Sequence, residues 1–133
     1  MDDILVVEGN LDVNGTGTHS FAGAISVTGS GTFTGDVIAF SSSDESLKDN
    51  ITPIEDPLSK VLSISGNTFN WNEKSEYEGK SDTGVIAQEV EALGLPGVVA
   101  TRDDGTKAVR YEKLVPLLIG AIKELSAKVD ALS

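Results

Sequence analysis

Cysteine is absent from the 133 residues, which excludes a disulfide framework and a thiolate metal site. Basic residues are scarce: ten Lys and Arg face 21 Asp and Glu, for a formal charge of -11, and none of the ten precedes Lys48. A phosphate backbone would be repelled, so no nucleic-acid partner is expected. No apolar run approaches the roughly 20 residues that span a bilayer. The opening Met-Asp-Asp lacks the basic start of a secretory leader, so a soluble chain without membrane insertion is expected. The acid pairs Asp2-Asp3 and Asp103-Asp104 lack the further oxygen ligands that a calcium loop supplies in sequence, so neither a metal nor a cofactor is expected. The single histidine, His19, lies among Gly-rich repeats and reads as a solvated side chain.

What is present falls into two parts. A chain of this length, 39% hydrophobic, has room for one modest core or for two small parts that each need help. Residues 4–40 repeat a short theme, as in Leu11-Asp12-Val13-Asn14-Gly15 and Ile25-Ser26-Val27-Thr28-Gly29. Apolar residues alternate within each unit, the period of a half-buried strand, and glycine closes each unit where a turn needs positive φ. Each strand offers two or three inward side chains, too few for a core within one chain, so stacking against copies is expected. The reading is the end of a fibrous stalk of three interleaved chains, in the manner of a β-helix. The competing readings are a small β-meander or a Gly/Ser/Thr linker.

From Asp44 onward the composition is that of a mixed α+β domain. Asp56-Pro57 reads as an N-cap followed by proline in the first helical position, and Leu58, Val61 and Leu62 form a helical stripe that stops near Gly66. Asn67–Trp71 alternates as a strand whose aromatics, Phe69 and Trp71, are expected to supply core area. Residues 72–82 read as a polar loop, and Gly84–Leu93 as a helix ended by Gly94 and Pro96. Val98-Val99-Ala100 and Ala108-Val109-Arg110-Tyr111 flank Asp103-Asp104-Gly105 and predict a hairpin.

The last segment, Glu112–Ser133, carries the strongest helical pattern. Val115, Ile122 and Val129 recur every seven residues, as do Leu118, Leu125 and Leu132, which predicts a coiled-coil-like seam of under three heptads. β-Branched residues at one seam position with leucine at the other favour two strands, in mild conflict with a three-chained stalk. The competing reading is one amphipathic helix packed on its own domain. Pro116 fits only if the helix begins within a residue or two of it.

Between the two parts lies Ser41–Ile51, Ser-Ser-Ser-Asp-Glu-Ser-Leu-Lys-Asp-Asn-Ile, which places Ser43 five residues before Lys48. Alone it reads as a linker with Asp44 as a turn cap and Lys48 as a surface charge. Four further blocks follow in order: the Trp71 strand, Gly84-Val85-Ile86-Ala87-Gln88-Glu89-Val90, Val109-Arg110-Tyr111 with Leu114, and Ala121-Ile122-Lys123-Glu124-Leu125. Together the five resemble the C-terminal intramolecular chaperone domain of phage endosialidases, tailspikes and tail fibres. The resemblance covers residues 43–133.

That resemblance implies an assembly domain at the end of a trimeric virion fibre, made in the host cytoplasm and carried to the virion. Its implied partners are two further copies of the chain, other tail or baseplate proteins and, for the fibre, a host-surface receptor. In many relatives the domain cuts itself off before the motif serine. Carried over, the bond between Ser42 and Ser43 is the one cut, Ser43 and Lys48 are the catalytic dyad, and residues 1–42 remain as fibre. A serine hydroxyl is a poor nucleophile at neutral pH, and a lysine serves as its base only where burial or nearby cations favour the neutral amine. Ser46 stands where arginine is common in the family, which removes one such cation. The alternative is a structural tip that is never cleaved and stays in the virion, contacting the host surface.

Overall fold

The computed structural model describes residues 3–133; Asp2 of the first acid pair lies outside them. The chain divides into two units, one ending at Ser43 and one running from Asp44 to Ser133. In the first, residues 3–43 form no helix and no strand, and every one of them is exposed. Phe21, Ile25, Phe33 and Phe40 all stand open. The expected strands thus have no ladder within a single chain, in keeping with the two or three inward side chains each offers.

The second unit is a mixed α and β fold with two small antiparallel sheets and a C-terminal helix. Helix α1 (Pro57–Leu62) leads to strand β1 (Asn67–Asn70), which pairs with β2 (Ser81–Gly84) in the register Phe69 to Asp82. Helix α2 (Ala87–Glu91) follows, then the hairpin of β3 (Val99–Thr101) and β4 (Lys107–Val109), with Val99 opposite Val109. A 3-10 turn, Tyr111–Leu114, runs straight into α3 (Val115–Asp130).

The core is aliphatic. Val90 of α2, Val98 before β3, and Leu114 and Leu117 at the start of α3 are buried against one another. Ile54, Val61, Val85 and Val109 close around them. Helices α1 and α3 cross so closely that a Cβ on Gly120 would lie 2.9 Å from Cβ of Pro57. Glycine is required there by space, not by backbone angle.

Several expectations need correction. Asp56 occupies the N-cap position of α1 in a left-handed conformation, φ 47°, and its side chain makes no capping hydrogen bond. Its carbonyl receives Lys60 N–H at 3.0 Å, while the Lys60 ammonium reaches back to the Glu55 carbonyl. Phe69 and Trp71 do not enter the core. Their rings meet edge to face at 5.0 Å, and the Tyr77 ring lies 5.5 Å from that of Trp71, tilted against it. The predicted loop over 72–82 ends in a strand, because Ser81, Asp82 and Thr83 are the exposed arm of a hairpin and carry no apolar period. The helix predicted over 84–93 shrinks to α2. Gly84 to Ile86 stay extended, and the Val85 N–H donates to the Tyr111 hydroxyl at 3.0 Å instead of to a helical carbonyl.

The β3–β4 hairpin is as expected, with Gly105 in the turn at φ 87°. So is the start of the last helix, where Pro116 sits in the first turn and displaces no helical hydrogen bond. Among the described residues no helix is long and apolar enough to cross a membrane.

Candidate functional site

The segment singled out by the sequence opens the second unit. Asp44 is extended, φ -64° and ψ 135°, and caps a single 3-10 turn over Glu45–Leu47. Its Oδ1 accepts from Ser46 N–H at 2.8 Å and from Ser46 Oγ at 2.7 Å. Its carbonyl accepts from Leu47 N–H at 3.1 Å, and the Glu45 carbonyl accepts from Lys48 N–H at 3.1 Å. The Ser46 hydroxyl, and then the Ser46 amide, hold the Asp44 carboxyl below the usual carboxylate range.

Ser42 and Ser43 are the last residues of the first unit, and Lys48 is the residue that ends the turn. All three are exposed, as is every residue from Ser41 to Pro53. Among the described residues the turn touches no other helix or strand of its own chain. Leu47 and Ile51 point their side chains to solvent. Beyond the turn, Asn50 takes a left-handed conformation, φ 55°, at a bend in the chain before Pro53. The geometry therefore supplies a solvent-exposed turn between the candidate nucleophile and the candidate base.

The other predicted blocks serve the frame. Gln88 is exposed, whereas the half-buried Glu89 binds Ser65 after α1, with Oε1 accepting from Ser65 N–H and Ser65 Oγ at 2.8 Å each. Tyr111 presses its hydroxyl against Gly84, where a Cβ would collide with it. Lys107 pairs with Glu91 at 2.9 Å and donates to Thr101 Oγ1 at 2.7 Å, joining the hairpin to α2. Phe69, Trp71, Asp82, Arg102, Lys107 and Tyr111 line a cleft of about 320 Å³. Trp71 Nε1 donates to Asp82 Oδ2 at 3.2 Å on its wall. The sequence carried no period that would have brought these six together.

The seam residues of α3, with Leu132 just past its end, form one open stripe. Val115, Leu118, Ile122, Leu125, Val129 and Leu132 are between 45% and 87% exposed, while Leu117 and Ala121 on the neighbouring face are buried. One helix thus closes the core of its own domain and presents a second apolar face outward. Among the described residues no three His, Asp or Glu side chains converge as metal ligands. Asp104, from the acid pair in the hairpin turn, is instead a turn cap, accepting from Thr106 N–H at 2.9 Å and Thr106 Oγ1 at 2.6 Å.

Residues 43–100 match the family model described as chaperone of endosialidase, a match that opens on Ser43 itself. Long tail fiber proteins Gp37 are similar over 98 residues, 68% of this chain: that of Salmonella phage S16 is 34% identical, and those of Enterobacteria phages K3 and T2 are 36% identical. The chain covers 13%, 8% and 7% of those three proteins, so it spans a small part of the length of the curated relatives it matches.

Proposed function

We propose, from the match of residues 43–100 to the chaperone-of-endosialidase family model and the similarity to long tail fiber proteins, that residues 43–133 drive assembly of a phage tail fibre whose stalk ends in residues 1–42. The protein would then belong to the virion, as a homotrimer joined to other tail or baseplate proteins. The observation that carries this reading is the open apolar stripe on α3 in a domain that follows a fully exposed segment, residues 3–43, with no helix or strand of its own. Copies that bury the stripe together bring three stalk segments side by side, where their alternating apolar residues gain the neighbours a single chain lacks. Fully burying a leucine or isoleucine is worth about 1.5–3 kcal/mol. Six seam positions, between 45% and 87% exposed in one chain, therefore supply a gain of the same order as the entropic cost of association, which is about 4–15 kcal/mol.

Self-cleavage completes the proposal. Ser43 Oγ attacks the carbonyl carbon of Ser42, its proton passes to the Lys48 amine, and the bond from Ser42 carbon to Ser43 nitrogen breaks as the new C–O bond forms. Lys48 returns the proton to the freed Ser43 amine, and water then opens the ester. Each chain reacts once. Because the turn from Ser43 to Lys48 is exposed in a single chain, the enclosure such a site needs comes from neighbouring copies. Removal of the chaperone makes assembly irreversible, since the stalk is then protected by its unfolding barrier instead of by mass action.

A second reading, an uncleaved tip that stays in the virion and touches the host surface, is favoured by the aromatic group of Phe69, Trp71 and Tyr77 lying outside the core. Intact mass after denaturation decides between the two. Fragments split before Ser43 in the wild type, with full-length Ser43→Ala and Lys48→Ala, support the self-cleaving chaperone. One uncut chain in all three supports the retained tip.

A further inference from the structure

We infer that Asp44 is a positioning residue for self-cleavage, its carboxylate fixing the turn that begins next to Ser43 and ends at Lys48. The inference rests on the self-cleaving reading above. Asp44 accepts three hydrogen bonds inside residues 44–48. Its Oδ1 takes both donors of Ser46, and its carbonyl takes the Leu47 amide. The Lys48 amide is then tied to Glu45. No residue of the turn is buried and no other element packs on it, so hydrogen bonding and not packing sets its shape. A lone 3-10 turn has few bonds to hold it, and loss of the side-chain acceptor returns the intervening residues to many conformations.

The consequence is kinetic. Reaction between two groups on one chain depends on the fraction of time they spend in the productive arrangement, and a misplacement of about 1 Å costs on the order of 100-fold. Asp44 has no proton to give, because the two Ser46 donors keep it ionised. Its contribution is the acceptor oxygen, which an asparagine also owns. Ser46 supplies the matching hydroxyl, so the pair acts as a unit.

The experiment follows full-length chains made in a cell-free pulse and chased, with the uncut fraction read by intact mass and the assembled mass by light scattering. Asp44→Ala is expected to slow cleavage about tenfold or more, Ser46→Ala about threefold, and Asp44→Asn by less than about threefold, with the assembled mass unchanged in all three. Asp44→Ala cleaving at the wild-type rate overturns the inference, and so does Asp44→Asn as slow as Asp44→Ala, since that assigns the effect to charge. If Asp44→Ala fails to assemble, the comparison of Ser46→Ala with Asp44→Asn decides by the same rates. A wild type that never cleaves removes the underlying reading instead, and with it this inference.

Discussion

Glu89 and Ser65 are joined twice: one carboxylate oxygen accepts both the Ser65 amide and the Ser65 hydroxyl at 2.8 Å, and Asn67 Nδ2 completes the chain by donating to Ser65 Oγ at 2.8 Å. The pair ties the end of α1 to α2 across 24 residues. Hydrogen bonds to a charged acceptor contribute about 1.5–3 kcal/mol when sheltered, less where water reaches them, as it does at this half-buried site. Glu89→Ala should therefore lower unfolding stability by about 1–2 kcal/mol and Glu89→Gln by less, read from the urea midpoint at constant slope.

Gly120 gives a test in which two effects oppose. Alanine in a helix interior is better than glycine by about 1 kcal/mol. At this site the added methyl meets the rigid Pro57 ring at 2.9 and 3.1 Å, and overpacking of that kind costs about 1–3 kcal/mol. The clash is expected to win, so Gly120→Ala should melt at a lower temperature than the wild type.

The two faces of α3 predict two different failures. Leu117 is fully buried, and Leu117→Ala should destabilise the domain by about 3–5 kcal/mol, with loss of its cooperative melt. Leu125 is half exposed on the stripe, and Leu125→Glu should leave the helical circular dichroism of each domain in place while light scattering reports a single chain. A Leu125→Glu protein of unchanged mass would remove the stripe from the assembly.

Asp44 and Asp104 predict a pH response of known sign. Both carboxyls are held below the usual range, first by the side-chain hydroxyls of Ser46 and Thr106 and next by the amides of the same residues. A depressed folded value means that the stabilisation is present above the unfolded value, about 3.9, and is lost as the pH falls through the lower folded value. Carboxyl carbon shifts in NMR should therefore give midpoints below about 3.9 for both, and Ser46→Ala should raise the Asp44 midpoint without moving that of Asp104. Both groups are fully exposed, so the global melt should hardly change.

Local chemistry made part of this molecule legible and distance hid the rest. Gly105 and its acidic neighbours marked a hairpin because the turn itself demands those residues. The stripe on α3 was legible as a seven-residue period, and the motif from Ser43 to Lys48 as a spacing. The Tyr111 hydroxyl that keeps Val85 extended comes from 26 residues away, so the apolar spacing after Gly84 read as helix. Phe69 and Trp71 looked like core residues by size, yet Val90, Val98, Leu114 and Leu117 fill the interior and leave the rings to pack on one another. Glu89 was visible as a residue of the third of the five motif blocks, but its partner Ser65 was not, since nothing in sequence links them.

The exposed stretch before Asp44 also bears on how long a lone copy survives. Proteases bind their substrates as extended backbone, and residues 3–43 offer such backbone with no ladder to withdraw it. If copies assemble as proposed, a copy that finds its partners would hide that stretch, while one that does not would stay open to digestion. On that proposal, the lifetime of a lone copy would depend on how quickly it meets its own kind.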